Sequence, residues 1–367
     1  MGKKRTTSKE SVIANQSADW CGDRRECLWC NPLRFREIPT PVCAPARNDS
    51  VGGNKGKIML ACLTALLAAL LSLCLGAASL TGAMGSFIFR YVRLPRTLGC
   101  LLAGAALGTA GAVIQGVLHN RLASPSIIGV NAGAGLAVTV CCAAGAVSGW
   151  AIAGSAFLGA LAAVLLIVFA AEKAGASRTT VILGGVAVNA VLNALSEAVT
   201  VLIPEAGLMS GDFRVGGFSS VSYVRLIPAG VLILVSLTAV FLLSNELDVL
   251  SLGEETAQSL GLNVKRMRTL LLVLSAMLAG SAVSFGGLLG FVGLMIPHAM
   301  RKFAGGESRY LLPMCAFGGG AFVTLCDTAA RVVFAPFELP VGILLNVLGG
   351  PCFLLLLLKQ KGGRLHA

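Results

Sequence analysis

Arg93-Leu94-Pro95-Arg96, an apolar run carrying Gly104, Gly108 and Gly111 as far as Val117, and then Asn120-Arg121-Leu122-Ala123-Ser124-Pro125 form the stretch on which the reading of this chain turns. The run between the polar ends is long enough to cross a bilayer, which takes about 20 apolar residues in a helix. Around it lies a chain of 367 residues that is 56% hydrophobic and only 13% charged. Its mean hydropathy of +0.82 is foreign to a water-soluble domain of that length.

Apolar segments recur from Ile58 to Leu358 with short polar breaks, at 58–78, 97–117, 127–147, 150–171, 181–202, 225–244, 269–285, 286–303, 311–330 and 341–358. They predict an all-α, polytopic membrane protein of about ten spans. The glycine-rich stretch 282–291 predicts that the seventh and eighth spans are tilted or partial helices. Three parts follow: a polar tail over 1–56, a membrane domain over 57–360 and a short tail over 361–367.

Basic residues set the expected orientation. With the N-terminus inside, the inner loops after the first span hold Arg121, Lys173, Arg178, Lys265, Arg266, Arg268, Arg301, Lys302, Arg309, Lys359, Lys361 and Arg364, whereas the outer loops hold Arg90, Arg93, Arg96, Arg214, Arg225 and Arg331. Both termini are therefore expected in the cytoplasm of a cell that places this protein in its cytoplasmic membrane. The net charge of +12 sits mostly in loops beside the membrane and in the N-terminal tail. Topology and anionic lipid account for it there, and nucleic-acid binding is discarded. The first apolar run begins behind a long polar tail and reads as a retained span, not a cleaved signal.

The tail is polar and lacks a periodic apolar face, so disorder is its expected state. It carries Cys21, Cys27, Cys30 and Cys43, of which Cys27 and Cys30 form a Cys-x-x-Cys pair. Four thiolates could close a zinc site, but a structural zinc motif usually supplies two close pairs, and reduced thiols without a metal are the plainer reading. A third reading is an over-extended gene start, with translation beginning near Met59.

Several ordered motifs carry a family resemblance: Arg93 to Arg96; Gly104-Ala105-Ala106-Leu107-Gly108 with Gly111 and Gln115; Asn120 to Pro125 with Ile128-Gly129-Val130. Further along come Leu260-Gly261-Leu262, Gly290-Phe291-Val292-Gly293-Leu294 with Pro297-His298 and Arg301, and Glu338-Leu339-Pro340-Val341-Gly342. Over roughly residues 60–360 the chain resembles a permease subunit of the FecCD-type family of iron-siderophore and cobalamin ATP-binding cassette importers. The resemblance implies the type II importer permease fold, two permease copies around a central pathway, a pair of ATPase subunits below and an extracytoplasmic substrate-binding protein above. ATP and Mg would then sit on the ATPase, and this chain would bind no cofactor.

The resemblance also implies roles. Arg93, Arg96 and Arg331 match arginines that dock the binding protein, and guanidinium groups suit carboxylate capture; snorkelling to headgroups is the bland alternative. Two short helices expected at 247–252 and 256–261, within about 246–262, match the coupling helices that seat in the ATPase, with Ala257, Leu260 and Gly261 as contacts. Asn189, Asn193 and Glu197 fall on one helical face, extended by Thr200, and are expected to line the pathway, since polar groups within a bilayer turn to protein or water. Hydrogen bonding between helices is an equal reading for the two asparagines. Gly216-Gly217-Phe218 matches a short outer gate helix. Gly104, Gly108 and Gly111 are expected to let helices approach closely, with Gln115 needing a partner. Pro297 is expected to bend the eighth span, and His298 reads as structural.

No Gly-x-x-x-x-Gly-Lys-Ser/Thr phosphate loop is present, so the energy for transport is expected from a partner. The competing readings are a secondary, ion-coupled transporter using Glu197 as a proton relay, and an intramembrane enzyme, for which no nucleophile and base are paired. The expected cargo is a ferric siderophore, the commonest class the resemblance implies, with haem and cobalamin as the alternatives; no residue of this chain demands one of the three.

Overall fold

A computed structural model describes residues 50–75, 85–173, 178–333, 335 and 337–362. Helices follow one another as α1 (Ser50–Cys74), α2 (Gly85–Ile88), a π-helical turn (Phe89–Arg93), α3 (Leu94–Val117), α4 (Val130–Ala143), α5 (Gly149–Lys173) and α6 (Arg178–Leu202). They continue as α7 (Pro204–Val215), α8 (Tyr223–Leu242), α9 (Ser244–Ser251), α10 (Glu254–Ser259), α11 (Val264–Gly286), α12 (Val292–Ala304), α13 (Ser308–Val333) and α14 (Val341–Gly362). No strand occurs among the described residues. Among the described residues seven helices, or unbroken helical runs, are long and apolar enough to cross a membrane, and α4 and part of α14 are shorter apolar helices.

Each of the ten expected spans contains a helix, and the differences lie at their edges. α1 starts at Ser50, inside the segment assigned to the polar tail, and α14 runs on to Gly362. The third span is helical only over α4, and the eighth only over α12, so residues 118–129 and 287–291 are largely irregular backbone inside the bundle. The tail cysteines Cys21, Cys27, Cys30 and Cys43 lie outside the described residues.

The centre of the bundle is α3, which packs most extensively on α13 and α11 and also touches α12, α8, α9 and α1. Small residues make this possible. A methyl group at Gly104 would overlap the Gly319 carbonyl of α13, and one at Gly111 would overlap the Gly293 carbonyl of α12. At Gly108 it would press on the Cys315 carbonyl. Without a solvent-driven hydrophobic force between helices in lipid, such close backbone approach supplies the dispersion contact that holds them. By contrast α6, α1 and much of α5 expose most of their apolar surface.

Irregular backbone within a membrane bundle needs its polar groups satisfied by protein. Two such segments meet here, and amide side chains stitch them. Asn189 of α6 donates to the carbonyls of Ser126 and Ile127, both at 2.9 Å. Asn131 of α4 donates to Ser126 Oγ and to the Leu289 carbonyl, and Gln115 of α3 donates to the Gly293 carbonyl at 3.4 Å. The turn out of α11 needs Gly287 at φ +71°.

Gly111→Ala is expected to lower the thermal unfolding midpoint in detergent and the yield of folded protein, at about 1–3 kcal/mol for overpacking. Gly154→Ala, where nothing lies within 4 Å of the new methyl, is expected to leave both within about 0.5 kcal/mol of the parent.

Candidate functional site

At the end of the bundle where α3 begins, four charged side chains form one buried network. Arg96 pairs with Asp327 of α13 at 3.0 Å and with Glu338, in the turn before α14, at 2.7 Å. Arg331 pairs with the same Asp327 at 3.1 Å, one helical turn away. Asp327 is fully buried, Arg331 is 3% exposed and Arg96 6%, while Glu338 lies on an open rim. Two cations thus meet two anions, and the remaining donors reach backbone and hydroxyls: Arg331 donates to Ser72 Oγ at 2.8 Å, and Ser72 in turn bonds Thr97. Arg93 donates to the carbonyls of Leu73 and Cys74 at the C-terminus of α1, where unpaired carbonyls attract a cation.

The three arginines expected at a docking surface therefore point inward. Their guanidinium groups tie α1, α3 and α13 together, because leaving a charge unpaired at this depth would cost several kcal/mol. Asp327 is the residue that sequence reasoning missed. The signal was present, since an aspartate in an apolar span is rare unless it has a task.

The expected pathway residues separate. Asn189 is consumed by the irregular loop, so it faces protein and not a channel. Thr200 turns its hydroxyl onto the Ser196 carbonyl of its own helix. Asn193 and Glu197 do share an exposed face of α6 with Val186 and Val201, which no other described residue covers. Polar groups on an uncovered face of a membrane helix require water or a second protein surface.

Gly216-Gly217-Phe218 is not helical. The helix at that place is α7, and the three residues are the turn that ends it. Gly216 sits at φ +78°, its carbonyl accepts from Gly342, and Gly217 donates to Gly286. Phe218 is buried against Phe285 with ring centroids 6.3 Å apart. The turn thus anchors α7 to the ends of α11 and α14.

At the opposite end of α3, the helix pair α9 and α10 replaces the two short helices expected at 247–252 and 256–261, each beginning two or three residues earlier. Gly253 at φ +118° separates them, and Glu254 pairs with Arg268 at the start of α11. Ala257 is fully buried under α10, whereas Leu252 and Leu260 are both 63% exposed. Gly261 at φ +84° closes α10 and turns the chain toward α11. Of the three expected contacts only Leu260 offers an apolar side chain to a partner. No group of three or more histidine, cysteine or carboxylate side chains that could hold a metal occurs among the described residues.

The family model of the FecCD transport family matches residues 57–359. The hemin transport system permease of Yersinia pestis is 35% identical over 284 residues, covering 76% of this chain and 85% of its own. The vitamin B12 import permease of Salmonella paratyphi A is 38% identical over 313 residues, covering 81% and 93%, and the Fe(3+)-citrate import permease of Bacillus subtilis is 36% identical over 274, covering 74% and 82%. A solved chain from a transporter assigned to the metal-chelate ATP-binding cassette type, in an inward-facing conformation, superposes with a TM-score of 0.75 at 28% identity, over 83% of this chain and 99% of that one. With seven long apolar helices among the described residues and a family match over residues 57–359, this multi-pass membrane chain belongs to the FecCD transport family.

Proposed function

We propose that this chain is the membrane-spanning permease subunit of an ATP-binding cassette importer that carries a metal chelate of the iron-siderophore class across the cytoplasmic membrane. The observation that carries the reading is the pair α9–α10, a short polar hairpin that turns Leu252 and Leu260 outward. Apolar side chains presented at the C-terminal ends of short polar helices beside a membrane bundle call for a covering partner. An ATPase dimer, holding ATP and Mg, supplies that cover and the energy, and this chain hydrolyses nothing itself. A second permease copy covers α6, so that Asn193 and Glu197 of the two copies face one water-filled pathway. The Arg96 end faces outward toward the binding protein, and both termini lie in the cytoplasm. Haem and cobalamin are the alternative cargoes, since relatives at similar identity are named for hemin and vitamin B12.

Docking of the binding protein falls on the rim of the charged network. Arg96 keeps Asp327 as its buried partner, and its bond to the half-exposed Glu338 is the one an incoming carboxylate can replace. Docking is therefore an exchange of acids on one guanidinium.

Uptake of ferric siderophore into proteoliposomes is expected only when the ATPase is co-reconstituted and ATP is supplied; uptake driven by a proton gradient without it would overturn the reading in favour of ion-coupled transport through Glu197. Growth of a deletion strain on ferric siderophore, hemin or cobalamin then assigns the cargo. Leu260→Asp is expected to weaken ATPase association by about tenfold or more, or about 1.4 kcal/mol, with an unchanged melting midpoint, as read by co-purification and thermal unfolding. Glu338→Gln is expected to tighten binding-protein capture at low salt by removing the competing acid, whereas Asp327→Asn is expected to destabilise the fold; equal capture by Glu338→Gln and parent would count against the exchange.

A further inference from the structure

The end of the bundle where α3 terminates holds a cavity of about 260 Å³, walled by the C-terminal turns of α3 and α12, the N-terminus of α13 and one face of α9. Its charged lining is unbalanced. Arg301 reaches in from α12, and its Nη1 donates to Gln115 Oε1 at 2.5 Å, which fixes the head of the side chain against a glutamine that is itself 3% exposed. Arg121 lines the same cavity from the loop after α3. Asp248 of α9 is the acid on the wall, and both its oxygens accept from the backbone N–H of Ser308, at 2.9 and 3.2 Å. Among the described residues neither Arg301 nor Arg121 has a carboxylate within pairing distance.

The remaining wall mixes His119, Ser251 and Ser308 with Ala112, Leu247, Leu311 and Leu312. His119 sits at φ +49°, a left-handed conformation uncommon outside glycine, and its Nε2 lies 2.8 Å from the Ser251 carbonyl of α9. That contact spans the mouth between α3 and α9. A half-buried guanidinium beside a second, exposed one, with the nearby carboxylate already committed, leaves positive charge that no carboxylate among the described residues neutralises, and an anion is the natural counterpart.

We propose that this cavity is a binding site for a phosphate-class oxyanion, held between Arg301 and Arg121. Size and chemistry limit the ligand. The volume falls below the range of about 300–1,000 Å³ usual for drug-sized ligands, so a free phosphate or the phosphate of a larger molecule enters and the rest stays outside. Planar guanidinium groups bind phosphate oxygens in pairs. Two sources share this chemistry, inorganic phosphate and the headgroup of an anionic phospholipid. Because Leu247, Asp248 and Ser251 of α9 form one wall, an occupied cavity ties α9 to α3 and α12 through the ligand. The binding itself does not depend on the transport reading.

The test uses the full chain in nanodiscs. In phosphatidylcholine discs at matched ionic strength, inorganic phosphate is expected to raise the melting midpoint saturably where chloride does not, and Arg301→Gln is expected to abolish the rise. Arg121, being exposed, gives a second variant that keeps the Gln115 bond, and Arg121→Gln is expected to raise the phosphate concentration needed by at least about tenfold. In discs containing phosphatidylglycerol, native mass spectrometry is expected to show one retained lipid that both variants lose if the headgroup is the ligand. A saturable phosphate response assigns the free anion, and lipid retention assigns the headgroup. Neither response in the parent protein, or responses that both variants keep undiminished, would overturn the site.

Discussion

Close backbone contact along α3 is the constraint from which the remaining architecture follows. In lipid, apolar side chains gain nothing by leaving their surroundings for another helix, so association rests on how near two backbones can come. Gly104 against Gly319 and Gly111 against Gly293 bring α13 and α12 to that limit at two heights of the same helix. Once these contacts exist, the neighbours of α3 have little freedom of position. α11 must pack beside it, and the irregular segments at 118–129 and 287–291 must pass through what space is left.

That arrangement creates a second demand, which polar side chains meet. Non-helical backbone at membrane depth needs donors, and Asn131 and Asn189 supply them, while Gln115 serves the Gly293 carbonyl of α12, which Pro297 leaves without a helical donor. Charges follow the same rule at the Arg96 end, where Asp327 serves two arginines and Arg93 closes the open carbonyls of α1. The side chains that look most like functional groups in an apolar sequence are thus largely occupied in making the irregular parts of the bundle possible. Among the described residues, those with capacity left for a partner include Asn193 and Glu197 on α6, Leu252 and Leu260 at the ends of α9 and α10, the half-exposed Glu338, and the pair Arg121 and Arg301.

The helical skeleton was legible because a membrane span writes its own length in apolar residues, and all ten segments contain helices. The edges were not. Ile127 and Ile128 are as apolar as any span residue, yet Gly129 at φ +88° and Pro125 keep that stretch out of the helix, a local geometry that hydropathy does not report. The same gap separates Asn189 from Asn193. Spacing puts both on one face, but only the position of the Ser126 and Ile127 carbonyls decides which one is consumed. Arg93, Arg96 and Arg331 were recognisable as exceptions to the charge rule; Asp327 stands one helical turn from Arg331, but its pairing with Arg96, 231 residues distant in the chain, is beyond any reading by periodicity. Gly216 to Phe218 resembled a helix by motif, whereas the left-handed Gly216 makes it the stop that follows one.

The glycine seams also decide how such a bundle can deform. Helices locked at two heights cannot slide along one another without lifting a carbonyl over a backbone, so α3, α12 and α13 behave as a single stiff rod. Compliance is left to joints such as Gly253 and Gly261 around α10, left-handed turns with open space where a side chain would stand. A load on this bundle is accordingly expected to bend those open joints before it parts the seams.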